Sequence, residues 1–386
     1  MTSRRGPLCR RAMLLSRCLL ILWGAWLPLQ TQTPDSAFAV PDSLGDGWGS
    51  ADPAVAGFDA AGLHSLLATM MNGETNLHSV IIERHGHLVA EVYRRGQDRS
   101  VYALFARQRE FGPTVLHDTR SVGKSVVSLL LGIAIQQGKV GALSTPAIQF
   151  FPEDGDLATP GCQAITLADF LTMSSGLDWR EGGSGRDDEH RLFWKWSPTR
   201  YVFSRAIADP PGSRWNYNSG GVVVLADLLA RTTHRSLKDF VREALFEPLG
   251  IHAWEWTADL HGRPMAFTGL RMRPRDMAKL GRLILNHGQW RGRQLVPAEW
   301  IAASLQPRVS TGIADFQYGY LWWLGPVDWH GRKLRWAAAF GNGGQRIIVV
   351  PELDLTVVIT AGAYGDPQAA PRVHAFFKDI VSLVIK

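Results

Sequence analysis

Cysteine is scarce in this chain. Three occur in 386 residues, and Cys9 and Cys18 fall within the first 39. Only Cys162 lies beyond them, so no internal disulfide can staple the rest of the chain. Gly161-Cys162-Gln163 gives that thiol no histidine partner, and it reads as structural rather than nucleophilic. A surplus of charge is also missing. The formal net charge is +6, but residues 1–39 hold five arginines and one acid, leaving 36 basic and 34 acidic residues, a net of +2. That balance leaves no electrostatic case for nucleic acid as a partner. No G-x-S-x-G nucleophile elbow and no H-E-x-x-H zinc motif occur. Internal repeats are absent too. Past residue 39, no stretch is long and apolar enough to cross a bilayer.

What is present begins with an export pattern. Arg4 to Arg11 form a positive region, Met13 to Leu29 an apolar one, and Ala37-Phe38-Ala39 an A-x-A cleavage site. The expectation is a signal peptide over 1–39, a mature chain starting near Val40, and a periplasmic or secreted protein. No stable membrane span is expected after cleavage.

The most informative stretch is His117-Asp118-Thr119-Arg120-Ser121-Val122-Gly123-Lys124-Ser125, which runs into an apolar segment of helical length. Ser121 stands where the helix begins, and Lys124 follows three residues later. Residues i and i+3 share a helix face. A hydroxyl and an amine therefore point the same way at a helix N-terminus, where free N–H groups and the dipole favour a developing oxyanion. A lysine drawn into a desolvated pocket is expected to lose affinity for its proton and to take one from the serine. The plainer reading makes Ser121 an N-cap and Lys124 a solvated charge. No other S-x-x-K occurs in the chain.

Around this segment, Leu63, Leu66, Leu67 and Met70 have helical spacing, and Ser79 to Tyr93 reads as a β-hairpin. His85 and His87 at its tip read as solvated turn residues, and no metal or cofactor is expected. Thr166 is a plausible N-cap for a short helix, Ile165 to Met173. The glycine-rich loop Gly182-Gly183-Ser184-Gly185 lacks the Lys-Ser/Thr of a phosphate cradle and reads as flexible surface. The aromatic cluster Phe193-Trp194-Lys195-Trp196 is packing or a cleft wall. Helices are expected over Val222 to Arg231, Phe240 to Leu249 and Pro274 to Gly288. Strands are expected over Tyr318 to Trp323, Arg335 to Phe340, Gln345 to Val350 and Leu355 to Thr360, before a last helix from Ala370 to Val384. Strands at both chain ends with helices between them imply an α/β sheet domain from 40–130 and 270–386. A mainly helical domain covers 131–269, with the active site between the two.

Three segments in this order, Ser121-Val122-Gly123-Lys124, Tyr217-Asn218-Ser219 and Gly341-Asn342-Gly343-Gly344-Gln345, resemble the serine β-lactamase-related family. That family includes class C β-lactamases, D-alanyl-D-alanine carboxypeptidases, family VIII-type esterases and 6-aminohexanoate-dimer hydrolases. Leu171 to Leu177, Pro211-Gly212, Tyr318-Gly319-Tyr320 and Val350 to Asp354 resemble it as well. The resemblance implies a β-lactamase/transpeptidase-like α/β fold, an antiparallel sheet flanked by helices with a helical insertion. It implies that Ser121 is acylated and that Lys124 and Tyr217 share the base role. Ser219 would bond substrate or Lys124, and the oxyanion hole would use the backbone N–H of Ser121 and one after Gly344, from Gln345. Asn342 departs from the family pattern, where a cation often stands. A neutral amide loses the charge-assisted bond to a substrate carboxylate. The expectation is an exported serine hydrolase of small esters, amides or peptide-like substrates. The alternatives are a β-lactamase or D,D-peptidase, and a non-catalytic relative binding peptidoglycan or protein.

Overall fold

The computed structural model describes residues 40–72, 76–182 and 186–386. The expected signal segment, 1–39, lies outside the described residues, as does most of the glycine-rich loop. In chain order, β1 (Gly49–Ser50), α1 (Ala60–Asn72) and the hairpin β2 (Leu77–Arg84)–β3 (His87–Tyr93) come first. An excursion follows through β4 (Gly96–Asp98), β5 (Arg107–Arg109) and β6 (His117–Asp118), ending in α2 (Val122–Gln136). A helical stretch holds α3 (Pro160–Gln163), α4 (Leu167–Leu171), α5 (Asp188–Leu192), α6 (Pro198–Phe203), α7 (Ser219–Thr233) and α8 (Leu237–Val241). The chain returns through β7 (Trp254–Trp256), β8 (Leu270–Met272), α9 (Pro274–Leu285), a small hairpin β9 (Gln289–Trp290)–β10 (Arg293–Gln294) and α10 (Ala298–Ser304). It closes with β11 (Val309–Ser310), β12 (Gln317–Tyr318), β13 (Trp323–Trp329), β14 (Arg332–Gly341), β15 (Gln345–Val350), β16 (Leu355–Ala361) and α11 (Ala369–Ser382).

The main sheet has nine strands in the order β1-β3-β2-β16-β15-β14-β13-β12-β11. Every pairing in it is antiparallel except β1 with β3. Side chains alternate across a strand, and β15 shows the result: Ile347 and Val349 join one core, Ile348 and Val350 the other. The first core also holds α2, α7 and α9; the second holds α11 and part of α1. Both faces are therefore covered, and the central strands read as continuous apolar runs. This is the mixed α/β architecture expected.

Helix α2 is the spine between the sheet and the helical stretch. Its residues from Val122 to Ala134 are all buried. A helix apolar on every side must be enclosed on every side. Gly132 permits one of those contacts, since a Cβ there would sit 2.3 Å from Cδ1 of Trp300. A domain boundary at residue 130 would cut this helix in two.

Two expected elements differ. The run Tyr318 to Trp323 is not one strand. It breaks after Tyr318, Leu321 takes a left-handed φ of 62°, and β13 starts at Trp323. Aromatic β propensity suggested continuity, but the Leu321 backbone is claimed elsewhere. Its N–H donates to Leu171 O at 2.9 Å, and its carbonyl accepts from Ser125 Oγ at 2.7 Å. The helix expected from Phe240 begins earlier, at Leu237 behind the Ser236 cap, and continues as a π turn over Arg242–Phe246. The Thr166 cap is present as a full capping box with Asp169, an arrangement worth about 1 kcal/mol.

Candidate active site

The Ser121 position is built by a turn. β6 pairs with β8, and Thr119 continues the attachment through N–H and Oγ1 bonds to Leu270 O at 2.9 and 2.8 Å. Arg120 then adopts φ 52°, which is costly for a residue with a Cβ. Its N–H is held by Asp118 Oδ1 at 3.0 Å. This reversal delivers Ser121 to the first position before α2. The Ser121 side chain makes no capping bond. Its Oγ instead accepts from Lys124 Nζ at 2.8 Å. The N-cap reading of the serine therefore fails, and so does the solvated reading of Lys124, which is 2% exposed.

Tyr217 arrives from a distant loop. Asn216 N–H bonds Met173 O at 2.7 Å, and Asn218 caps α7 by accepting from Gly221 N–H at 3.0 Å. Fixed on both sides, Tyr217 lines the cleft with Ser121 and stands over Lys124. The amine lies 4.8 Å from the Tyr217 ring centroid and donates also to Phe267 O at 2.9 Å.

Here the protonation expectation is corrected. Burial pushes the Lys124 pKa down, but the charges of Tyr217, Glu181 and Glu189 outweigh it, and the amine is held above its ordinary value. Burial raises Tyr217 despite the nearby cation and the Ser121 hydrogen bond. Both directions, amine up and phenol up, leave Lys124 and Tyr217 protonated at neutral pH. The resting cluster is ammonium, phenol and hydroxyl. Removing one proton yields either free amine with phenol or ammonium with phenolate. These two forms hold the same number of protons, so Lys124 and Tyr217 titrate as a pair.

Glu181 was not found from sequence. Its carboxyl is pushed up to about 7, first by burial and then by Glu189, against the pull of Lys124. Trp179 Nε1–H donates to its Oε1 at 2.7 Å, and Ser219 N–H donates to the same oxygen. It is only partly screened from solvent and reaches the cleft. Arg346 was missed as well. It is buried beneath the Phe340 ring at 4.1 Å, donates to Gly341 O and Gln345 O at 3.1 and 2.8 Å, and lines the cleft. Burial brings its pKa down to about 10. The run of charges in sequence gives no sign of either role.

The cleft over Ser121 has a volume of about 780 Å³. Asn342 and Gly344 line it together with Tyr217, Trp323 and Phe340. Gly344 has φ 100°, and a Cβ on Gly343 would fall 2.4 Å from the Tyr364 ring, so this turn requires its glycines. Gln345 does not present its side chain to the cleft. Its amide bonds Asn342 O, Ala361 O and Ala361 N, tying the turn to β16. Only its backbone is left for a substrate. Ser219 also departs from expectation: its hydroxyl is buried without a hydrogen-bond partner and does not reach Lys124. Gly182 belongs to the cleft rim rather than to remote surface. Trp323 forms a wall, while Trp322 is core. Trp194 and Trp196 are exposed and belong to neither.

The β-lactamase family profile matches residues 67–375. The 6-aminohexanoate-dimer hydrolase of Paenarthrobacter ureafaciens is 22% identical over 316 residues, covering 76% of this chain and 74% of that one. Among solved structures, EstCE1, a hydrolase with promiscuous acyltransferase activity, superposes with a TM-score of 0.65 at 15% identity, covering 84% and 98% of the two chains. A penicillin-binding protein homologue from Caulobacter crescentus gives 0.63 at 18% identity, covering 83% and 97%. At such identities the structural likeness speaks for the fold.

Proposed function

The chain belongs to the β-lactamase family, a family of serine hydrolases, and from that premise we propose that it is an exported hydrolase cleaving an ester or amide through an acyl-enzyme on Ser121. The observation that carries this reading is the contact of Ser121 Oγ with Lys124 Nζ at 2.8 Å, with the Tyr217 ring centroid 4.8 Å from the amine. The Lys124–Tyr217 pair, one proton short of its resting state, takes the hydroxyl proton as Oγ attacks the carbonyl. Tyr217 returns a proton to the departing amine or alkoxide. The oxyanion forms against the backbone N–H groups of Ser121 and Gln345. Water then attacks the acyl carbon by the same proton route and releases the acid.

The substrate class follows from the cleft's charge. Glu181, Asp187, Glu189 and Asp366 line it against Arg120 and Arg346. An excess of carboxylates favours a short linear substrate with a cationic end, and the aromatic wall suits an apolar chain. With neutral Asn342 in the turn, a β-lactam carboxylate finds no exposed cation there. The β-lactamase or D,D-peptidase alternative keeps one support, the guanidinium of Arg346 at the cleft wall.

A fluorophosphonate probe tests the nucleophile. The expected result is one label per chain, lost in Ser121→Ala. Absence of labelling in intact protein favours the non-catalytic binding reading. Hydrolysis of p-nitrophenyl esters or an aminohexanoate dimer without hydrolysis of nitrocefin separates the first reading from the β-lactam one. The reverse preference rejects it.

A further inference from the structure

Outside the cleft, three buried groups meet where β2, β4 and β6 converge. They are His78, Asp98 and His117, with one ligand atom from each lying within 4.8 Å of the others. Both rings are fully buried, and Asp98 is 6% exposed. His78 Nδ1 faces His117 Nε2 at 2.7 Å. That approach requires something between the two nitrogens, and the outer bonds of the rings decide what it can be.

His117 Nδ1 lies 2.9 Å from the carbonyl of Asp118, which can only accept, so this nitrogen carries a hydrogen. His78 Nε2 lies 3.2 Å from Asn76 Oδ1. The Asn76 amide is oriented by its other bonds: Nδ2 donates to Gln97 O at 2.7 Å, and Oδ1 accepts from Gln97 N–H at 3.1 Å. So His78 Nε2 also carries a hydrogen. Both neutral rings have then spent their hydrogens outward. The two inner nitrogens confront each other with bare lone pairs, a repulsive arrangement unless a cation intervenes. Phe111 stacks on His78 with ring centroids 4.0 Å apart. Asp98 supplies the negative charge; its Oδ1 is oriented by the Tyr364 hydroxyl at 2.9 Å.

We propose that His78, His117 and Asp98 form a buried structural site for one first-row divalent cation, with Zn²⁺ the best suited. Two imidazoles and a carboxylate are ordinary zinc ligands, and outer-ring bonds to a carbonyl and an amide are the usual second layer of such a site. With Zn–N near 2.0–2.1 Å, tetrahedral seating needs the facing nitrogens to part by roughly half an ångström. The ion would pin β6, and His117 stands four residues before Ser121. It would also fix Asp98 and so Tyr364, whose ring backs the Gly343 turn.

The test uses the full-length mature chain and metal alone. The protein, refolded with Zn²⁺ and desalted, should retain about one equivalent by mass spectrometry of the metal. Chelation should lower the melting temperature, and Zn²⁺ should restore it. Co²⁺ in the stripped protein should give intense visible d–d bands of a low-coordinate site. His78→Ala and Asp98→Asn should lose the equivalent and the bands. If His78→Ala fails to fold, the wild-type Co²⁺ spectrum still decides. No retained metal and an unchanged melting temperature on chelation overturn the proposal and assign a shared proton to the histidine pair. Zinc retained equally by a folded His78→Ala variant overturns it too.

Discussion

Lys124 and Lys279 make an instructive pair. Each is buried in a helix, and each has its partner three residues earlier on the same face. Lys279 meets Asp276 at 2.9 Å and donates to Gly250 O at 2.9 Å. Lys124 meets Ser121 at 2.8 Å and donates to Phe267 O at 2.9 Å. Helix geometry, burial and the backbone acceptor match. The i−3 side chain differs. A carboxylate in contact makes an ion pair that holds structure. A hydroxyl in contact leaves the charge to more distant groups, here Tyr217, Glu181 and Glu189, so the proton can move during a reaction. The spacing brings an amine to its neighbour; the neighbour's chemistry sets what the amine does.

Exchanging each lysine for methionine separates the two roles. Lys124→Met should lower kcat/KM on a p-nitrophenyl ester by about 10³-fold or more, the loss of the proton acceptor. Stability in urea should hold or rise, because an apolar side chain relieves a desolvated charge. A variant with more than a tenth of wild-type activity would remove Lys124 from the base pair. Lys279→Met should do the opposite. It strands buried Asp276 with Arg273 as its remaining cation and should cost about 3–5 kcal/mol of unfolding free energy. Activity per folded molecule should stay within about twofold. Loss of activity without loss of stability would break the comparison.

Tyr217→Phe sharpens the Lys124 side. The aromatic packing on Trp215 and Trp323, with centroids 5.9 Å away in each case, should survive. The hydroxyl that relays the proton does not. A fall of about 10²-fold in kcat is expected with little change in KM. An unchanged kcat would make Lys124 sufficient alone.

The sequence carried the comparison only part of the way. Ser121 and Lys124 were legible because helix periodicity is local, and β15 and β16 were legible as short β-branched runs. Tyr217 and the Asn342 turn came from resemblance, since nothing in their own spacing singles them out. Glu181 was invisible. It stands in a loop after Trp179, and only the fold brings it against α7 and Lys124. The expected direction for Lys124 was opposite to that found, because burial was weighed without the charges of Tyr217, Glu181 and Glu189 that answer it. Tyr318 to Trp323 failed for a related reason: distant carbonyls and the Ser125 hydroxyl, not local propensity, break that strand. His78 and His117, 39 residues apart, form no motif until β2 and β6 converge.

Glu181→Gln tests the smallest and most specific effect. Gln keeps an Oε1 acceptor for Trp179 and Ser219 and removes only the charge. Without that carboxylate, the Lys124–Tyr217 pair gives up its proton more readily. The rising limb of kcat/KM against pH should therefore move toward acid by about one pH unit. Stability supplies an independent reading. The Glu181 carboxyl is raised from 4.5 to about 7 in the folded chain, so the folded state binds that proton more tightly than the unfolded state does. Its stabilising contribution is complete below 4.5 and is lost as pH rises through about 7. In Glu181→Gln this part of the stability profile should flatten. A flattened profile with an unmoved kinetic limb would leave Glu181 titrating but uncoupled from the base. A limb that moves toward alkali would reverse the assigned charge on Lys124.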